Sequence, residues 1–123
     1  QLMCVEFMKK YNIDSYIEKN RKLYGEKCAA MLEAMEKYFP KGKVEWTVPE
    51  GGIFLWCKCP TIEDITPVVN ACLEKKVAIV PGSNFAVDMS APSNQFRLNY
   101  SSASIDKIQT AVERLGGVLT ELL

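Results

Sequence analysis

From Ile17 to Phe39 the apolar residues keep helical spacing: Ile17, Tyr24, Cys28, Met31, Leu32, Met35 and Phe39 fall on one stripe. Glu18, Lys19, Arg21, Lys22, Glu26, Lys27, Glu33, Glu36 and Lys37 fill the opposite face. The pattern predicts a long amphipathic helix. Ser15 and Glu18 have capping-box spacing, which puts its start at Ser15. Pro40-Lys41-Gly42 stops it. Ahead of it, Leu2, Met3, Val5, Phe7 and Met8 read as the end of an apolar helix or a strapping segment, interrupted at Tyr11-Asn12-Ile13-Asp14.

Beyond Pro40 the period shortens to two. Val44-Glu45-Trp46-Thr47-Val48 alternates, and Gly52 to Cys59 is a denser apolar run that Pro60 ends. Pro49-Glu50-Gly51-Gly52 between them reads as a tight, glycine-dependent turn joining two sequential strands. Thr66 as N-cap, with Pro67 in the first helical position, opens a helix to about Lys76 that should bury Val68, Val69, Cys72 and Leu73. Val77-Ala78-Ile79-Val80 is a short buried strand ending at Pro81-Gly82, followed by a polar loop over 83–94 with Phe85 as its apolar exception. In the next strand Phe96, Leu98 and Tyr100 form one face, and Gln95, Arg97 and Asn99 the other. Ser104 and Asp106 open a last helix carrying Ile105, Ile108, Val112, Leu115 and Leu119 on one side. Gly116-Gly117 should weaken its end by about 1 kcal/mol each relative to alanine.

This order predicts an α+β two-layer sandwich: a small, mostly antiparallel sheet of about four strands, covered by helices on one face and preceded by a long N-terminal helix. That helix has more reach than so small a sheet needs, so part of it is expected to lie against another domain.

At 123 residues, with 48% apolar, the chain has the size and core of one domain. Fifteen basic and fifteen acidic residues cancel, which removes the electrostatic argument for a nucleic-acid partner or an anionic membrane. No apolar stretch approaches the roughly 20 residues of a membrane span, and none has a signal-peptide pattern. The five cysteines, Cys4, Cys28, Cys57, Cys59 and Cys72, include no CxxC and read as free thiols of a reducing cytoplasm. Cys57 and Cys59 would share a strand face and could offer two metal ligands. With no histidine in the chain, buried structural thiols are the stronger reading and no metal is expected. The same lack excludes Ser-His and Cys-His nucleophilic machinery. The first residue, Gln1, suggests a piece of a longer protein.

The chemistry concentrates at Arg97. A lone guanidinium between two amide side chains on a rigid strand suits a fixed, planar anion such as a carboxylate. An edge-strand arginine in solvent would show the same pattern.

Four stretches in order narrow the choice: the helix Tyr24 to Phe39 ending in Tyr-Phe-Pro, Pro49-Glu50-Gly51-Gly52-Ile53-Phe54-Leu55-Trp56, the run from Lys76 through Pro81-Gly82-Ser83-Asn84-Phe85, and Phe96-Arg97-Leu98-Asn99-Tyr100-Ser101. Together they resemble the C-terminal small domain of the fold-type I, class I/II aminotransferases that depend on pyridoxal 5'-phosphate. The resemblance is greatest to the aminoadipate, kynurenine and broad-range amino-acid transaminase branch. It implies one small domain over 1–123, with a connecting and long helix over 1–39 and a sheet-helix layer over 40–123. It implies that Arg97 grips the substrate α-carboxylate, that Gly51-Gly52 form the turn before a strand near the active-site mouth, and that Phe85 lies near the substrate side chain. Asn99, beside Arg97, could steady it. The cofactor, the lysine that carries it, its aspartate and tyrosine partners and its phosphate loop belong to a large domain outside this chain, so the chain alone is expected to be inactive. Implied partners are an α-amino acid, a 2-oxo acid, that large domain and a second copy in a homodimer. Carbon–sulfur lyases, aminocyclopropane-carboxylate synthases and transaminase-like transcription regulators share the same grip, and a non-catalytic binding module would reuse the fold.

Overall fold

Asn12, rather than Ser15, starts the long helix. Its Oδ1 accepts hydrogen bonds from the backbone N–H groups of Asp14 (3.1 Å) and Ser15 (3.3 Å), satisfying donors that a helix N-terminus otherwise leaves open. Ser15 is already inside the first turn, where its hydroxyl donates to the Asn12 carbonyl at 2.9 Å. An asparagine three residues upstream thus outcompetes the capping box. The computed structural model describes residues 1–123. Its elements are α1 (Leu2–Lys10), α2 (Ile13–Tyr38), β1 (Glu45–Trp46), β2 (Phe54–Lys58), α3 (Thr66–Glu74), β3 (Val80–Pro81), a 3-10 turn (Gly82–Phe85), β4 (Gln95–Asn99) and α4 (Ile105–Leu122).

The strands form one four-stranded sheet in the order β1-β2-β4-β3, with every neighbouring pair antiparallel. One face carries Leu55, Cys57, Phe96 and Leu98 into a single core with Met31 and Met35 of α2, Val68 and Cys72 of α3, and the Ile108, Val112, Leu115 and Leu119 stripe of α4. The helices therefore cover one face, and the architecture is the expected α+β arrangement with its long N-terminal helix. In α2 only Met31, Ala34 and Met35 are buried, and α1 buries nothing. Ile17, read as part of the apolar stripe, is exposed.

Several local expectations are corrected. The first strand pairs over only two residues: Val44 drops into the core, and Thr47 continues the contact through its N–H to the Trp56 carbonyl (3.0 Å). The third strand is Val80–Pro81 rather than 77–80. Val77 and Ile79 are buried and Ala78 is exposed, so the alternation persists without ladder bonds. Proline at an edge position costs that ladder no donor it needs. The start of α3 is held by Asp64, whose Oδ1 accepts from the Thr66 N–H (3.0 Å) and hydroxyl (2.8 Å), so Thr66 is the first helical residue rather than the cap. Leu73 is exposed: with Val68 and Cys72 defining the buried stripe at i and i+4, the next position turns to solvent.

The α4 glycines play unlike parts. The helix continues through both to Leu122. Gly116 is buried against α2, where a Cβ would collide with the Tyr38 carbonyl; a Cβ on Gly117 would meet nothing within 4 Å. Gly116 is thus what lets α4 approach α2 so closely.

Candidate functional site

Alternation along β2 and β4 decides what the uncovered face of the sheet displays. Leu55 and Cys57 point into the core, so Phe54, Trp56 and Lys58 point away from it. Phe96 and Leu98 point in, so Gln95, Arg97 and Asn99 point out. The β2–β4 register sets Trp56 opposite Arg97 and Phe54 opposite Asn99. On the other side of β4, Val80 of β3 pairs with Arg97, and the 3-10 turn that follows carries Phe85 over the same face.

These placements enclose Arg97 in aromatic surface. Its guanidinium carbon lies 3.9 Å from the Phe54 ring centroid and 4.7 Å from that of Phe85. Phe85 meets Trp56 edge-on, with centroids 5.5 Å apart and an interplanar angle of 70°. The Trp56 indole N–H donates to the Gln95 side-chain oxygen. Arg97 forms no ion pair, since the two pairs in the molecule are Lys9–Glu6 and Arg21–Glu18 on helix surfaces. Its Nε is the one buried side-chain nitrogen or oxygen without a hydrogen-bond partner.

A buried donor without a partner costs about 1–3 kcal/mol. A cation–π contact returns about 0.5–2 kcal/mol, more as the site dries. Two such contacts roughly offset the missing partner, so the fold gains little by keeping Arg97 here. What the arrangement provides is a half-buried cation whose terminal nitrogens remain open to an acceptor. A carboxylate matches that fork with two parallel charge-assisted hydrogen bonds.

The other expected site residues are placed differently. Asn99 is committed to the turn after β4, where its Oδ1 accepts from the Ser101 N–H (2.8 Å), the Ser101 hydroxyl (2.9 Å) and the Ser102 N–H (3.4 Å). Gln95 serves Trp56, so neither flanking amide is bonded to Arg97. Gly51 and Gly52 are exposed turn residues, and Gly52 needs its glycine, with φ at 87°. They line a groove of about 880 Å³ with Tyr24, Cys28 and Tyr100, on the helix side of the sheet. Arg97 rises from the opposite face, so the structure groups Phe85 with Arg97 but not the glycines. Phe54 and Trp56 complete the arginine's surroundings without having been singled out. Their signal was the phase of β2: two positions out of step with Leu55 and Cys57, hence on the arginine's face.

The thiols stand apart from this chemistry. Cys57, Cys59 and Cys72 are buried in the core. Burial pushes Cys59 and Cys72 up to about 11 and raises Cys57 as well, with Cys59 beside it adding to the effect. No group of three or more Cys, Asp or Glu side chains gathers where it could hold a metal ion. No helix is long and apolar enough to cross a membrane.

A family model described as aminotransferase class I and II matches residues 1–115. The chain is 35% identical over 121 residues to the 2-aminoadipate transaminase of Thermus thermophilus, covering 98% of this chain and 30% of that protein. It is 32% identical over 127 residues to the mitochondrial kynurenine/alpha-aminoadipate aminotransferase of Mus musculus, covering 100% of this chain and 30% of that protein. Among solved structures, the kynurenine aminotransferase of Pyrococcus horikoshii superposes with a TM-score of 0.86 at 35% identity, over 95% of this chain and 28% of that one. The chain therefore spans less than a third of the length of these relatives.

Proposed function

The chain belongs to the class I and II aminotransferase family, and on that premise we propose that it is the small domain of a pyridoxal-phosphate-dependent transaminase in which Arg97 binds the substrate α-carboxylate. The intact protein moves an amino group from an α-amino acid to a 2-oxo acid. The observation that carries the reading is the half-buried, unpaired guanidinium of Arg97 on the sheet's uncovered face, with a buried Nε that no protein group satisfies.

The residues of that face fit a substrate better than a cofactor. An orphaned arginine beside two aromatic rings, with Trp56 behind one of them, offers a grip for one carboxylate and apolar surface for the carbon skeleton attached to it. Pyridoxal 5'-phosphate belongs to the large domain in this reading, and when bound it supplies the electron sink that the amino-transfer chemistry needs. Arg97 then orients: two hydrogen bonds to one carboxylate fix both the position and the plane of the substrate's α-carbon. Phe54 and Phe85 keep water off the guanidinium, which strengthens those bonds. Phe85, half-exposed on its 3-10 turn, faces the substrate side chain. The whole of 1–123 acts as one domain, partnered by the large domain and, in the intact enzyme, by a second copy in a cytoplasmic homodimer. The chain alone is inactive.

The test is an assay of the full-length protein with α-amino acids, with and without a 2-oxo acid. Formation of a new amino acid only when the oxo acid is present is the expected result. Release of ammonia and pyruvate without an oxo acid would assign a lyase instead. If neither occurs, the enzyme reading falls and a regulator or binding module takes its place.

A further inference from the structure

Arg97 is the only charged residue of the molecule placed beside two aromatic rings at once, and the rings come from different elements. Phe54 belongs to β2, and Phe85 to the turn that follows β3, the strands on either side of β4. Each ring is held by its own strand or turn. Phe54 is the first residue of the inner strand β2, opposite Asn99, and Phe85 is backed edge-on by Trp56, whose indole N–H is tied to Gln95. Nε is buried and has no partner, so the guanidinium keeps its terminal nitrogens for an incoming group.

We propose that Phe54 and Phe85 are positioning residues, with Trp56 and Gln95 behind them: the two rings fix the plane of the Arg97 guanidinium and make the site select planar, two-oxygen anions over tetrahedral ones. The inference rests on Arg97 gripping a carboxylate, as proposed above, and adds what sets its selectivity. The Phe54 ring, its centroid 3.9 Å from the guanidinium carbon, fills space against the guanidinium, whose N–H donors all lie in one plane. A carboxylate lies in that plane and pairs both oxygens with both terminal nitrogens. A phosphonate brings a third oxygen out of the plane, where it meets aromatic carbon and loses water without gaining a donor. An unclamped arginine would rotate to follow either anion.

The experiment measures dissociation constants by titration calorimetry on the full-length protein, using two unreactive probes of matched skeleton, 3-phenylpropionate and 2-phenylethylphosphonate. The natural sequence should favour the carboxylate by about tenfold or more. Phe54→Leu and Phe85→Leu should each weaken the carboxylate by about tenfold, as expected for losing a dried cation–π contact, while leaving the phosphonate nearly unchanged. Phe54→Tyr should restore the preference. In an Arg97→Gln background the ring substitutions should cost nothing further, because they act through the arginine. Equal losses for both probes, or losses that add to that of Arg97→Gln, overturn the clamp and leave the rings as mere walls. If Phe54→Leu lowers the unfolding temperature, Phe54→Met with the same probe pair decides. Arg97→Gln binding the carboxylate as well as the natural sequence overturns the reading of Arg97 itself, a result separate from failure of the clamp.

Discussion

Trp56 and Arg97 are direct partners across the β2–β4 ladder, so indole and guanidinium rise from the uncovered face of the sheet at the same level. Between them the register does two jobs. It places Phe54 diagonally next to the arginine, and it lets Trp56 hold Phe85 in place while occupying Gln95. The arginine is thereby surrounded by its neighbours without being neutralised by any of them.

Gly116 and Gly117, adjacent in α4, should respond to alanine with opposite signs. At Gly116 the new methyl would press on the Tyr38 carbonyl, and the helices would have to separate, at a cost of about 1–3 kcal/mol. At Gly117 nothing stands within 4 Å, and alanine should stabilise the helix by about 0.5–1 kcal/mol. Urea denaturation of the two variants checks both; destabilisation of equal size would mean that backbone flexibility, not close approach, selected the glycines.

The buried thiols predict a fall in stability at alkaline pH. Below the ordinary thiol value of 9.0 folded and unfolded chains hold the same protons. Between 9.0 and about 11 the unfolded chain releases protons that folded Cys59 and Cys72 retain, so the balance moves toward unfolding as pH rises. Tyr100, raised by burial and then by its neighbour Cys28, acts in the same direction. Urea midpoints measured from pH 8 to pH 10.5 should decline, and less steeply in a Cys59→Ala, Cys72→Ala protein. A flat profile contradicts the burial of these groups.

Asn12→Ala removes the acceptor that starts α2 and should cost that helix end about 1 kcal/mol. Because α2 buries nothing before Met31, the loss should stay local. Amide exchange at Asp14 and Ser15 should quicken several-fold while the global unfolding midpoint barely moves. A global loss as large as the local one would show that the first turns of α2 fold together with the core.

Most of the layering was legible because it rests on periodicity. The C-terminal half of the α2 stripe, the α4 stripe from Ile108 onward and the alternation in β4 each have one physical solution. Ile17 and Ile105, by contrast, are exposed, and the link from β1 to β2 is a longer stretch over 47–53 rather than a tight turn. Helix starts were less legible, since Asn12 and Ser15, or Asp64 and Thr66, offer rival acceptors a few residues apart and only geometry shows which oxygen is in reach. The length of β3 was overread because Val77 and Ile79 satisfy a strand's burial pattern while their backbone lies outside the ladder. Arg97 and Phe85 stood out in the sequence as candidates, but their proximity did not: it depends on β3 pairing beside β4, a contact across the fold. Asn99 looked like a partner for Arg97 because alternation puts both on one face. It does not specify which group an amide oxygen will choose, and the Ser101 turn was closer.

The most direct test of the account is kcat/KM for amino transfer by the full-length protein carrying Arg97→Lys. An ammonium keeps the charge but cannot form the planar fork, so at least one charge-assisted hydrogen bond worth about 1.5–3 kcal/mol should be lost, and kcat/KM should fall by roughly 10- to 100-fold. The stability of the fold should change little, because Arg97 makes no ion pair and leaves its Nε unbonded. An Arg97→Lys enzyme with unchanged kcat/KM would contradict the assignment of Arg97 as the carboxylate grip.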